Sequence, residues 1–290
     1  MRVLMAVCMM ALALPAMAWE KSADLGLNFN QTAYSNSWTG GESGAITWTF
    51  TGNLAAQKQM SPKVHWGNQL KLQFGQTHNQ ATAGDGSKNW ESPQKSSDRI
   101  FLESIAKLTL GAFVDPYTAF TFESQFYDAS VPRVPRYINP MLLTESIGAG
   151  KTLIKNEHTE LLSRLGFAIR ERFDRVVIDI ATEETEMETT TDGGLEWVSD
   201  FSHTLSDNAK YVSKLRVFQA VFSNAADDLE GLPNEDYWKT ADIAWENALS
   251  ATVSKYLQFS LFAEVLYDKE LDLRGRFREV LGVGIAYKLF

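Results

Sequence analysis

Ile46-Thr47-Trp48-Thr49-Phe50-Thr51-Gly52-Asn53-Leu54 alternates apolar or small residues with threonine and asparagine for nine positions. A period of two places Ile46, Trp48, Phe50 and Leu54 on one face of a strand and the polar residues on the other. The pattern recurs along the chain. Leu25, Leu27 and Phe29 oppose Asp24, Gly26 and Asn28 upstream, and Leu70, Leu72 and Phe74 oppose Gln69, Lys71 and Gln73 downstream. Further alternation follows through Leu102 to Leu110, Phe120 to Phe126, Leu161 to Ile169, Leu195 to Phe201, Leu215 to Val221, Ile243 to Leu249 and Leu257 to Val265. The closing run Leu281, Val283, Ile285, Tyr287, Leu289 leads to the terminal aromatic Phe290. With the less regular stretch 143–155, these predict twelve strands of about ten to fourteen residues, long enough for a tilted strand to cross a bilayer, which takes ~9 to 11.

The connections decide between a soluble sandwich and a barrel. Short ones fall near Met60 to Lys63, Val114 to Tyr117, Asn156 to Glu157, Ser206 to Asn208 and Thr252 to Lys255. Long ones fall at 35–44, 77–98, 127–142, 171–193, 223–236 and 268–277, in strict alternation with the short ones. A barrel whose mouths face different compartments, with short periplasmic turns and long extracellular loops, has that organisation. The fold class expected is therefore all-β, a transmembrane antiparallel β-barrel of about twelve strands. Aromatics follow the same scheme, Trp66, Tyr117, Tyr211 and Tyr256 beside short turns and Tyr34, Tyr127, Trp197, Tyr237, Trp238 and Tyr267 beside long loops, while Trp245 falls mid-strand.

The first residues agree with export. Arg2 precedes an apolar run from Val3 to Leu14, and Ala16-Met17-Ala18 offers a small-residue cleavage site before Trp19, so residues 1–18 read as a signal peptide and 19–290 as one barrel domain in the cell outer membrane. Cys8 is the one cysteine of the chain, and cleavage there would leave too short a leader for a lipoprotein signal. The mature chain then has no thiol for disulfides or thiolate chemistry. It carries 27 basic and 36 acidic residues before the loss of Arg2, a balance of −9 that becomes −10, opposite to what nucleic acid requires. No run after residue 18 approaches the ~18 apolar residues of a membrane helix.

Three stretches carry a resemblance: Trp38-Thr39-Gly40-Gly41-Glu42 after the first strand, Lys95-Ser96-Ser97-Asp98-Arg99 opening the fourth, and Leu281-Gly282-Val283-Gly284-Ile285-Ala286-Tyr287-Lys288 near the end. In order and over nearly the whole mature chain, they resemble an uncharacterised outer-membrane barrel family of Gram-negative bacteria, a domain of unknown function. The resemblance implies location and fold and carries no activity. Such barrels commonly end Tyr-x-Phe, whereas Tyr287-Lys288-Leu289-Phe290 sets its two aromatics on opposite faces. The partners expected are outer-membrane lipid, the barrel-assembly machinery through the strand ending Phe290, and small solutes or cations.

No catalytic, cofactor or metal site is expected. Gly148-Ala149-Gly150-Lys151-Thr152 imitates the end of a phosphate loop but has Glu145 where that motif needs glycine, and reads as small residues in a membrane strand. A hydrolase would need serine, histidine and carboxylate to converge. The histidines are His65, His78, His158 and His203; threading sets all but His78 at the periplasmic rim, and His203 toward lipid. The carboxylates of 171–193, among them Glu171, Asp174, Asp179, Glu183, Glu184, Glu186, Glu188 and Asp192, read as a solvated external loop, like those of 223–236.

The polar faces carry the candidate site. Lys71, Glu103, Lys107, Glu123, Arg164, Arg170, Glu196, Asp200, Lys214, Arg216, Asp242, Glu246 and Glu264 share them, and a Lys or Arg on the lipid face would cost ~2 to 4 kcal/mol at the midplane, so they line the lumen. Bordering water, they would set the selectivity of a narrow channel for small solutes or ions. Paired with one another, they would close the lumen of a structural or ligand-binding barrel. An envelope hydrolase is the third reading. Pairing of Lys71, Lys107, Arg164 and Arg216 with neighbouring carboxylates is the mark of the closed barrel.

Overall fold

A computed structural model describes residues 19–34, 42–84, 87–254 and 257–288. The leader, the Trp38 to Gly41 signature, Tyr256 and the terminal Leu289-Phe290 lie outside the described residues.

The alternating segments form twelve strands: β1 Glu20–Thr32, β2 Ala45–Ser61, β3 Val64–Thr82, β4 Gln94–Leu108, β5 Asp115–Ser124, β6 Met141–Lys155, β7 Thr159–Asp179, β8 Glu184–Ser206, β9 Ala209–Ser223, β10 Asp242–Thr252, β11 Leu257–Tyr267 and β12 Arg276–Lys288. Each pairs antiparallel with its sequence neighbours, and β1 closes the ring on β12 through pairs such as Asp24 with Lys288 and Leu27 with Ile285. Closure leaves no ladder edge bare, the condition for a sheet in hydrocarbon.

Burial is inverted relative to a water-soluble protein. Ile147, Leu165, Leu195, Val221, Leu281, Val283 and Ile285 are exposed on the outer wall, whereas Glu103, Arg164, Glu196, Lys214, Glu246 and Glu264 are buried inside. Period two thus turns the apolar face outward, as a lipid solvent requires. Three tryptophans of that wall satisfy their indole N–H groups without water, donating to serine hydroxyls on the next strand: Trp66 to Ser104 at 2.9 Å, Trp197 to Ser163 at 2.8 Å and Trp245 to Ser213 at 3.0 Å. A cross-strand hydroxyl is what lets Trp245 sit mid-strand, away from the interfacial girdles.

Several boundaries differ from the sequence reading. The stretch 171–193 is not an open loop but the upper part of a β7–β8 hairpin, paired from Arg170 with Asp192 up to Asp179 with Glu184 around a turn at 180–183. Beyond the membrane both its faces meet water, so no apolar alternation marks it as strand. β3 likewise runs to Thr82, where Gln80 to Thr82 pair with a short strand, Lys88–Trp90. The turn placed at Val114 to Tyr117 lies at 109–114, because β5 already begins at Asp115. Tyr117 does not join the girdle: it is buried inside, on the face of Ala119, Thr121 and Glu123.

The irregular stretch 143–155 is strand β6, including Gly148 to Thr152. Its alternation is blurred because Glu145 faces outward, paired with Phe120 and Ile169, while Thr144, Ser146 and Gly148 face inward. A Cβ on Gly148 would lie 2.2 Å from the Leu165 carbonyl oxygen, and one on Gly166 would lie 2.7 Å from the Tyr117 hydroxyl. Glycine there admits the Tyr117 ring to the lumen wall.

Among the long connections, the one between β5 and β6 is tied down by side chains. Asp98 accepts the backbone N–H groups of Phe126 at 2.7 Å and Tyr127 at 2.9 Å, and Asp128 pairs with Arg136 at 2.7 Å. The connection between β9 and β10 carries a short 3-10 turn, Tyr237–Lys239, whose Trp238 packs on Ala168, Phe218 and Ala220 at the long-loop mouth.

Candidate functional site: the charged lumen

The lumen is organised around one buried ring. Phe101 is fully buried on β4, on the face shared with Glu103, with Lys71 and Glu123 as its cross-strand partners. Four cations stand about it: Lys71 Nζ at 5.3 Å, Arg99 Cζ at 5.1 Å, Lys214 Nζ at 5.2 Å and Arg216 Cζ at 5.6 Å from the ring centroid. The negative face of an aromatic quadrupole attracts such groups, more so once they are desolvated.

Carboxylates complete the layer. Lys71 pairs with Glu246 at 3.3 Å, and Arg99 donates to Glu246 at 2.5 Å and stands 3.6 Å from both Glu123 and Glu264. Lys214 meets Glu103 at 2.8 Å and Asp200 at 3.5 Å; Arg164 meets the same two at 3.0 and 3.1 Å. Arg216 pairs with Glu123 and, at 3.7 Å, with Glu196. Arg278 holds Glu264 at 2.7 Å, and near the long-loop mouth Arg170 holds Asp242 at 2.7 Å. The cations Lys71, Arg99, Arg164, Arg170, Lys214, Arg216 and Arg278 thus face the carboxylates Glu103, Glu123, Glu196, Asp200, Asp242, Glu246 and Glu264, seven against seven.

Where these bonds run matters more than their number. In a ring of twelve, Arg99 on β4 and Glu246 on β10 are six strands apart, Lys214 on β9 and Glu103 on β4 five, and Arg216 on β9 and Glu123 on β5 four, so these pairs reach across the lumen from wall to wall. All of the thirteen residues singled out by alternation except Lys107 are ion-paired here, Arg170 and Asp242 as a separate pair near the long-loop mouth. Lys107 stands apart near the short turns, half-buried, with Asp115 at 3.9 Å.

Three members escaped the sequence reading. Arg99 and Phe101 share the parity of Glu103, so carrying the alternation two positions upstream of Leu102 would have placed both inside. Arg278, the third residue of β12, has the inward parity of Val280. Phe101 is harder to foresee, because an apolar residue on a polar face contradicts the rule that defines the face.

On the short-turn side of this layer the lumen widens into a cavity of about 840 Å³. Hydrogen-bonding side chains such as Asn28, Thr51, Asn53, Gln69, Gln73 and Ser260 line it together with charges of both signs, Asp24, Asp207 and Lys210 among them, and it ends against Lys71, Arg99, Lys214 and Glu246. Of the histidines, His203 stacks on Phe201 and shares a 2.8 Å hydrogen bond between Nδ1 and the Thr159 hydroxyl.

At the opposite mouth, Glu270 lies in the connection after β11. Partial burial, then the charges of Asp192, Asp268 and Asp242, lift its carboxyl from 4.5 to about 7. Native Glu270 keeps a proton that the unfolded chain has released between these values, so the loop loses stability as pH rises from about 4.5 to about 7. Glu270→Gln removes this dependence. Hydrogen exchange of amides 268–275 is expected to slow several-fold in the variant at pH 8 and to match the parent at pH 4; equal rates at pH 8 would refute the coupling.

Comparison with known proteins gives a partial family match and structural likenesses at low identity. Residues 29–129 match a family described as a protein of unknown function (DUF3078), a narrower match than the whole-chain likeness read from the sequence, and the chain is similar to that family over this part. No curated protein matches. Among solved structures, an outer-membrane channel from Pseudomonas putida F1 is 12% identical with a TM-score of 0.40, covering 95% of this chain and 96% of that one. The translocator domain of the autotransporter NalP from Neisseria meningitidis is 10% identical with a TM-score of 0.38, covering 99% and 93%.

Proposed function

We propose that the chain, after loss of residues 1–18, is an integral outer-membrane barrel with its short turns in the periplasm, its long loops outside and its lumen closed at rest by the ionic layer. In this reading it binds a small hydrogen-bonding solute in the periplasm-facing cavity. Insertion runs through the assembly machinery that engages the strand ending Phe290. The observation that carries the closed lumen is the wall-to-wall pairing of Lys214 with Glu103, Arg216 with Glu123 and Arg99 with Glu246 around Phe101. Lys71, Lys107, Arg164 and Arg216 all have carboxylate partners, the arrangement that distinguishes a filled barrel from a water-lined pore.

Amide and hydroxyl side chains at the cavity wall both donate and accept, and Lys71 with Glu246 offers one charge of each sign at its end. That chemistry suits a neutral or zwitterionic solute. A gated channel is the second reading, supported by the reach of the cavity up to the ionic layer itself. Planar-bilayer recording of the refolded mature protein tests both. A sealed membrane is expected at rest; steady conductance of the unmodified protein would overturn the closed lumen and favour the channel.

A further inference from the structure

Beside the Arg170–Asp242 pair, the long-loop mouth gathers carboxylates that no cation of the ionic layer holds. Arg170 on β7 stands directly across from Asp192 on β8, and Phe218 on β9 directly across from Asp242 on β10. Asp268 follows Tyr267, the cross-strand partner of Ile243, and so lies beside Asp242; its Oδ1 accepts the backbone N–H of Glu270 at 3.0 Å. Asp192, Asp242, Asp268 and Glu270 therefore gather at one mouth with Arg170, and of these Asp242 is its ion-pair partner. Arg170 is committed already: it donates to Asp242 at 2.7 Å and lies 4.2 Å above the Phe218 ring. Asp192 is 7% exposed, and its Oδ1 is buried with no hydrogen-bond partner. A carboxylate oxygen removed from water with nothing donating to it is costly, and the cost is relieved when a cationic donor arrives.

The spacing of these carboxylates selects the kind of cation. Calcium needs six to eight oxygens at about 2.3 to 2.6 Å, and among the described residues no three His, Cys, Asp or Glu side chains stand close enough to hold a metal ion. An ammonium or guanidinium group reaches several separated carboxylates through N–H bonds of about 2.7 to 2.9 Å. The mouth also presents aromatic rings to cations, with Lys269 Nζ 4.4 Å from the Tyr237 ring and Trp238 packed beside Phe218. The acidic β7–β8 hairpin above it, with Glu183, Glu184, Glu186 and Glu188, raises the local concentration of any approaching cation.

We propose that the long-loop mouth is a binding site for an organic cation, a solute bearing an amine or guanidinium group, whose N–H groups donate to Asp192 Oδ1 and to the carboxylates of Asp242, Asp268 and Glu270. The site lies on the other side of the ionic layer from the periplasm-facing cavity, and its occupancy does not depend on whether the lumen conducts.

Calorimetric titration of the refolded mature protein in detergent with spermidine, and separately with calcium chloride at matched ionic strength, tests the site. Saturable spermidine binding is expected, weakened at least tenfold by Asp192→Asn and unchanged by Glu157→Gln in the short turn at the opposite end of the barrel. Heat-modifiable migration on a gel verifies that each variant folds; should Asp192→Asn fail to fold, Asp268→Asn is expected to give the same tenfold loss. Absence of saturable binding, equal affinity in Asp192→Asn, or displacement of spermidine by calcium at lower concentration would each overturn the proposal.

Discussion

Glu246→Gln is expected to turn a sealed barrel into a conducting one. Glu246 neutralises Lys71 at 3.3 Å and Arg99 at 2.5 Å, and losing its charge leaves seven cations facing six carboxylates. Arg99 keeps longer contacts with Glu123 and Glu264 at 3.6 Å, whereas Lys71 loses its salt-bridge partner altogether. Removing one partner of a buried pair commonly costs ~3 to 5 kcal/mol, because the stranded charge must find water. Here water is close at hand in the cavity that ends at these side chains. The stranded charge therefore draws solvent into the layer, and single-channel recording should show openings with anion preference, matching the excess positive charge. Glu246→Gln combined with Arg99→Gln restores the balance and should conduct less than the single variant. A variant as tight as the parent, or one that prefers cations, would remove the ionic layer from any role as the seal.

Phe101→Ala is expected to have the larger effect on stability. The side chain is fully buried, and truncating a buried phenylalanine costs ~3 to 5 kcal/mol through lost contacts and the cavity left behind. The four cations about the ring also lose its quadrupole, worth ~0.5 to 2 kcal/mol apiece according to desolvation. Urea unfolding in lipid vesicles should show a markedly lower midpoint for Phe101→Ala. Phe101→Leu, which keeps most of the volume but not the ring, should fall between it and the parent. Equal midpoints for all three proteins would mean that the ring is a passenger in a layer held by salt bridges alone.

The parts of the barrel that lie within the membrane were legible because lipid imposes one rule on every strand. An outward residue meets hydrocarbon and an inward one meets the lumen, so Phe50 and Thr51 must differ, as must Trp197 and Glu196. Where that constraint ends, so did the reading: the β7–β8 hairpin above Arg170 is wet on both faces, and its threonines and glutamates look like loop although they pair in register up to Asp179 and Glu184. β6 was obscure for a related reason, since Glu145 breaks the outward face and glycines thin the inward one. Tyr117 sits next to a turn, yet its parity with Glu123 is what places it inside.

The sequence by itself determined the strand count, the sign of each face and the inward direction of Lys71, Glu103, Arg164, Lys214, Arg216 and Glu246, because these follow from period two and from the cost of a charge in lipid. Only the tertiary structure decided that these charges pair with one another across the lumen around Phe101. Alternation orders residues along one strand, whereas a contact between β4 and β10 depends on closure, tilt and stagger of the whole ring, which no local pattern encodes.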